Sequence, residues 1–206
     1  MSTENTVLYL ASASPRRRDI LDMLGFEYTL LLPDADENSG ITEAPLLVEE
    51  LAGRKAMAAC EMLSSSQKHN ALVLAADTLV ECGGEIMGKP KNKEDAVRMI
   101  KMLSGSTHHV YSGIALWHNN KLVTAHEGTE VRFAEMTQEE IEAYVACGES
   151  YDKAGAYAVQ GLASMWIDGL NGCSFNVVGL PVRRMYALMQ SIGISPLSLR
   201  RKSQNG

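Results

Sequence analysis

The sequence contains no segment long and apolar enough to cross a bilayer, and Met1 to Thr6 carry no basic stretch leading into an apolar core. A spanning helix needs about 20 apolar residues and a secretory leader needs both parts, so a cytoplasmic chain without membrane contact is expected. Cysteine is sparse as well: Cys60, Cys82, Cys147 and Cys173 stand far apart, unlike the paired ligands of a zinc site or a redox motif, and are expected as free thiols. The five histidines form no HExxH pattern, and no serine sits in a GxSxG elbow. Those absences remove the zinc peptidase and serine hydrolase signatures. Aromatic residues make up only 6%, and 19 Lys and Arg face 25 Asp and Glu, so no stable nucleic-acid complex is expected.

What is present is enough for a core. With 206 residues, 46% of them hydrophobic, the chain should bury roughly 70% of its extended surface without staples. No fixed-period repeat or low-complexity linker appears, so a single α/β unit over residues 1–206 is expected, with room for two lobes and a flexible tail over 200–206.

Val7 to Ala11 reads as a strand, and Ser14-Pro15 as the cap and first turn of a helix that Gly25 stops. Phe26 to Leu32 reads as a second strand. A helix is expected over Ala44 to Leu63, with Leu47, Leu51, Met57, Ala58 and Met62 as its stripe. Ala71 to Val80 is an apolar strand run broken by Asp77, and Gly83-Gly84 supports a turn after it. A helix over Asp95 to Leu103 precedes a long hairpin, Thr107 to Trp117 and Lys121 to Phe133. Thr137 and Glu140 form a capping box for a helix whose inner face is Ile141, Tyr144 and Val145. A strand is expected at Ala163 to Asp168. Val177 to Pro181 marks the last junction, followed by a helix packed through Met185, Leu188, Met189 and Ile192.

Several short segments concentrate chemistry. Ser12 to Arg18 sets hydroxyls, helix-start amides and three guanidinium groups together, which suits a phosphate and equally fits an ordinary capped basic turn. Lys55 and Lys89 could each extend an ammonium toward phosphate or remain wet on the surface. Gly83 to Lys89 matches the GxxxxGK half of a P-loop, but Pro90 replaces the hydroxyl residue that binds Mg²⁺, which excludes that type of ATPase. Asp77 is the sharpest local signal, because a carboxylate beside Ala75, Ala76 and Leu79 is costly to bury without compensation. It could hold a metal ion, position water or accept a proton, or it could bind backbone donors at a turn. Asp152, Lys153 and Gln160 lie in a Gly- and Ala-rich stretch that could form a base pocket or a structural turn.

Taken together, these segments resemble the Maf family of nucleoside triphosphate pyrophosphatases over most of the chain. The matching elements are Ser12-Ala13-Ser14-Pro15-Arg16-Arg17, Glu37, Lys55 within Leu51-Ala52-Gly53-Arg54-Lys55-Ala56, Ala76-Asp77-Thr78, Gly88-Lys89-Pro90, Asp152 to Tyr157 with Gln160-Gly161, and Asn176 to Pro181. Asn92 stands where an acidic residue is frequent in that pattern, and it supplies no negative charge. The Lys153 to Tyr157 and Gln160-Gly161 elements look like the branch acting on dTTP and UTP, with a 7-methyl-GTP enzyme as the alternative. The resemblance implies an elongated mixed β-sheet flanked by helices, with two lobes around a cleft as in the inosine triphosphatase-like proteins, and a homodimer. It also implies hydrolysis of dTTP, UTP or modified pyrimidine nucleotides to the monophosphate and pyrophosphate, by metal-assisted water attack on the α-phosphorus. In that reading Asp77 and Glu37 are catalytic and hold Mg²⁺ or Mn²⁺. Ser12, Ser14, Arg16, Arg17, Lys55, Lys89, Asp152, Lys153 and Gln160 bind the substrate. A nucleotide sensor or a septum-regulating protein is the non-catalytic alternative.

Overall fold

The computed structural model describes residues 6–201. In chain order its elements are β1 (Val7–Ala11), α1 (Pro15–Met23), β2 (Thr29–Leu31), α2 (Ala44–Glu61), α3 (Ser65–Lys68), β3 (Ala71–Cys82), β4 (Glu85–Met87) and α4 (Lys93–Leu103). The hairpin β5 (Thr107–His118) and β6 (Lys121–Phe133) follows, then α5 (Gln138–Ala146), β7 (Ile167–Asn171), α6 (Ser174–Val178) and α7 (Val182–Ser191). The strands make one elongated mixed sheet in the order β2-β1-β3-β5-β6-β7, with β4 also paired to β3. Helices flank both faces of this α/β fold. Pairs β1–β2 and β1–β3 are parallel and the rest antiparallel.

Alternation along β3 divides the interior. Val73 and Ala75 face α2, packing with Ala52, Ala56 and Ala59, while Leu72, Leu74 and Ala76 face the opposite cluster with Ile20, Leu21, Met185 and Met189. A third cluster, around Ile100, Leu103, Phe133 and Tyr144, fills the end of the sheet under α4 and α5.

The expected inner stripe of α2 is rotated. Leu51 is buried as expected, but Met57 and Met62 are exposed, and the buried face runs through Val48, Ala52, Gly53, Ala56, Ala59 and Cys60. Small residues win because α2 lies directly on the sheet. At Gly113 of β5 a Cβ would fall 2.1 Å from the carbonyl oxygen of Val48, so only a residue without a side chain admits the helix there.

Other boundaries moved by a few residues. The strand expected from Phe26 is confined to Thr29–Leu31, because Phe26 instead bridges Arg200. Ala163 belongs to a 3₁₀ turn, Leu162–Trp166, and the strand begins at Ile167. Val177 and Val178 close a short helix before the Pro181 junction. Thr137 and Glu140 form both halves of the capping box. Arg200 takes part in the bridge to Phe26, and the Arg201 amide donates to the Gly25 carbonyl. Residues 202–206 of the expected tail lie outside the described residues. Among the described residues no helix is long and apolar enough to cross a membrane, and all four cysteines are free thiols.

Candidate active site in a gap beside strand β3

The site begins with an interruption in the sheet. On one edge of β3, β1 pairs with residues 71–75 and β4 with residues 80–82, so among the described residues 76–79 have no strand neighbour on that side. On the other edge β5 pairs through the whole stretch, with Asp77 opposite Gly113 and Thr78 opposite Ser112. The gap opens where β1 ends and its chain turns through Ser12–Ser14 into α1. This is the place where diverging connections leave a crevice at strand ends.

Asp77 continues the Val73 and Ala75 face and therefore points toward α2, where Lys55 meets it: Nζ to Oδ1 is 2.5 Å. Asp77 is only 9% exposed, and the ammonium supplies the compensation that its burial requires. The same Nζ lies 2.7 Å from Glu37 Oε1. One cation thus joins two carboxylates from segments 40 positions apart in sequence. Lys55 holds the Glu37 carboxyl below the ordinary carboxylate range, against the opposing effect of burial, and Lys89 acts in the same direction. The contact is therefore intact at neutral pH and is lost as pH falls through that lowered value.

Glu37 lies in a segment with neither helix nor strand, and the neighbour of Lys55 holds it. Arg54 Nη1 donates to the carbonyls on both sides of Glu37, Asp36 O at 3.1 Å and Asn38 O at 2.6 Å. Arg54 also pairs with Glu50, whose other oxygen accepts from Ser39 Oγ at 2.8 Å. Consecutive residues on α2 therefore do different work: Arg54 fixes the loop and Lys55 receives its carboxylate.

Arg17 supports the opposite wall. Its guanidinium donates to Gly179 O at 2.8 Å, Ser12 Oγ at 3.0 Å, Ala76 O at 2.8 Å and Thr78 Oγ1 at 3.1 Å. The bond to Ala76 satisfies a carbonyl at the unpaired edge of β3. Burial pushes the Arg17 guanidinium down to about 10, with Asp77 opposing the shift and Arg16 adding to it, so it remains charged at neutral pH. Four of its five N–H donors are committed within the protein. A lysine keeps the charge but cannot span four acceptors from one point. Arg17→Lys should therefore lower unfolding stability by about 2 kcal/mol in urea denaturation, and wild-type stability would show that the fork geometry is dispensable.

Ser14 occupies the N-cap of α1, but its side chain makes no capping bond. Ser12 organises the turn instead, its buried Oγ accepting from the Ser14 amide at 3.2 Å and from Arg17. Arg16 reaches across the mouth to Asp152 at 3.4 Å, and Asp152 also pairs with Lys153 at 2.5 Å. Gly155 N donates to Gly88 O, which ties the Gly88-Lys89-Pro90 element to the 153–161 loop. Asn92 caps α4 by accepting from Asp95 N at 2.8 Å.

The outcome is a cleft of about 710 Å³ whose wall includes Ser12, Ser14, Arg16, Arg17, Glu37, Lys55, Asp77, Lys89, Asp152, Lys153 and Gln160. The eleven residues expected to act in catalysis or binding are brought together, whereas Arg18, the third guanidinium of the Ser12 to Arg18 segment, is not part of the wall. Others were missed. Thr78 bonds Ser112 at 2.8 Å beneath the cleft, and Ser112 donates to Asn176 O. Asn176, fully buried, donates to Val110 O and Thr129 Oγ1. Thr78, Arg54 and Asn176 sit inside motifs already noted, which is the signal that could have found them; Ser112 has none.

Tyr157 lines the inner cleft, but its hydroxyl is turned inward to His108 Nε2 at 2.8 Å. Burial pushes the His108 imidazole down to about 4, so it is neutral at physiological pH. No group of three or more His, Cys, Asp or Glu side chains able to hold a metal occurs among the described residues. Two carboxylates in a cleft lined with cations nevertheless fit Mg²⁺ or Mn²⁺, which commonly takes one or two protein carboxylates and draws its other ligands from phosphate and water.

Fold and cleft together define an α/β protein in which acidic and cationic side chains and the start of α1 share the wall of one cleft. Comparison with known proteins names the class: the model of the family described as Maf-like protein matches residues 7–192, and the chain belongs to that family. It is similar to the dTTP/UTP pyrophosphatase of Pelotomaculum thermopropionicum, with 45% identity over 92% of this chain and 98% of the relative. Similar too are the dTTP/UTP pyrophosphatases of Desulforamulus reducens, 44% identical over 91% of this chain and 97% of the relative, and of Bacillus anthracis, 41% identical over 91% and 96%.

Proposed function

We propose that this chain hydrolyses pyrimidine nucleoside triphosphates of the dTTP and UTP class, including modified pyrimidines, to the nucleoside monophosphate and pyrophosphate. The observation that carries this reading is the meeting of Asp77 and Glu37 at Lys55 in the cleft that also receives the start of α1 and Lys89. The names of the similar proteins support the substrate class.

Asp77 orients the attacking water toward the α-phosphorus and accepts its proton, a role that requires a carboxylate held close to the reacting atoms. Glu37 and Asp77 would hold Mg²⁺ or Mn²⁺, which when bound offsets charge developing on the phosphate oxygens. Lys55 keeps the two carboxylates from repelling each other before substrate enters. The first-turn amides of α1 with Ser14 receive phosphate oxygens, and Arg16, Lys89 and Lys153 supply cationic charge along the chain. Arg17 and Ser12 hold the wall against which the phosphates lie, and the remaining N–H of Arg17 is available to them. Asp152 keeps Arg16 and Lys153 oriented toward the mouth. Gln160, exposed and making no side-chain hydrogen bond among the described residues, reads the pyrimidine edge. A cytoplasmic homodimer belongs to the same reading.

The test is a metal-dependent product assay across natural and modified nucleoside triphosphates, 7-methyl-GTP included, with pyrophosphate and orthophosphate resolved. The expected result is monophosphate plus pyrophosphate, fastest with dTTP or UTP. Stoichiometric binding without turnover would favour a sensor, and successive orthophosphate release would overturn attack at the α-phosphorus.

A further inference from the structure

We propose that Glu149 is a positioning residue that sets base discrimination by fastening both ends of the loop from Lys153 to Gly161; this rests on the reading that Gln160 faces the nucleobase. Glu149 lies in the turn after α5, half-buried and outside the cleft wall. Its Oε2 accepts from the Leu162 amide at 2.9 Å, and its Oε1 accepts from Tyr144 Oη at 2.9 Å and from the Ala163 amide at 3.5 Å. Its backbone carbonyl accepts from Lys153 Nζ at 2.7 Å. One residue therefore grips the chain immediately after Gln160-Gly161 and a cation at the loop's other end.

Gly161 gives an independent sign of how tight this grip is. Its φ of −121° is open to any residue, so backbone freedom does not call for glycine here. Space does: a Cβ at Gly161 would lie 2.0 Å from Glu149 Oε2. The carboxylate is packed against the Cα next to Gln160, with Tyr144, itself fully buried in the cluster under α5, fixing its other oxygen. Gln160 makes no bond of its own within the described chain, so its position derives from this seat rather than from its side chain. Loosening the seat should degrade the choice of base more than the hydrolytic step, whose carboxylates lie on β3 and in the segment before α2.

The experiment compares kcat/KM for dTTP and UTP with that for purine nucleoside triphosphates in wild type, Glu149→Ala, Glu149→Gln and Tyr144→Phe. Glu149→Ala is expected to lower the pyrimidine-to-purine ratio at least tenfold through a raised pyrimidine KM, with kcat within threefold of wild type. Glu149→Gln keeps one acceptor for the Leu162 amide and should lower the ratio by about threefold; Tyr144→Phe leaves the turn amides bonded and should preserve it. Because the glutamine variant preserves shape, it carries the comparison if the alanine variant does not fold. A purely structural role predicts loss of folded protein or of kcat for every base alike, and that result overturns the proposal. A discriminating wild type whose ratio survives both Glu149 substitutions overturns this inference alone; a wild type without pyrophosphatase activity overturns the functional reading on which it rests.

Discussion

Asp77→Asn is expected to reduce hydrolysis by about a thousandfold or more while leaving the protein folded. The carboxamide nearly preserves shape but cannot accept a proton from water, and a positioned general base contributes about 10²- to 10⁴-fold. It also removes one of the two carboxylates able to hold a divalent ion, so the effect should exceed that of the proton transfer alone. The fold should survive because Lys55 retains Glu37 as a charged partner at 2.7 Å and because the backbone of β3 remains paired to β5 at this residue. Single-turnover hydrolysis of dTTP, with a denaturation midpoint measured in parallel, checks both halves. Turnover within tenfold of wild type would remove Asp77 from the chemistry, whereas loss of folded protein would make its partnership with Lys55 structural first.

Gly113→Ala should be the most damaging change of a single methyl group in the sheet. The new Cβ would meet Val48 O at 2.1 Å and the adjoining backbone nitrogen of Glu49 at 2.6 Å, and neither is the flexible end of a side chain. Overpacking a well-filled interior costs about 1–3 kcal/mol, and a clash with helix backbone belongs at the upper end. We expect a loss of about 3 kcal/mol in chemical denaturation. The site should suffer as well, because Gly113 is the cross-strand partner of Asp77, and α2, which the methyl would lift, carries Lys55. A folded variant with wild-type stability and activity would show that α2 can shift without releasing the two carboxylates.

Much of the secondary structure was legible because local rules agree with the tertiary outcome. Val7 to Ala11, the hairpin on either side of Asn119-Asn120, and the Thr137 to Glu140 capping box are found where composition and turn chemistry put them. The site's membership was legible through resemblance, and local pattern alone had singled out Asp77 because it broke an apolar run. The inner face of α2 was misjudged for a physical reason. Periodicity weighted large apolar residues, whereas the helix lies so close to the sheet that alanines and a glycine make the contact and Met57 and Met62 are left outside.

By itself the sequence determined the class of fold, the family and the acidic and cationic groups on which a phosphate site would draw. It could not show that Arg17 is spent mainly on four acceptors of the cleft wall, that Arg54 holds the carbonyls flanking Glu37, or that Glu149 seats Gly161. Those assignments depend on distances between segments remote in the chain. Only tertiary structure decides them, because local propensity acts over a few residues, while the gap beside β3 exists only once two different strands have paired with its two ends.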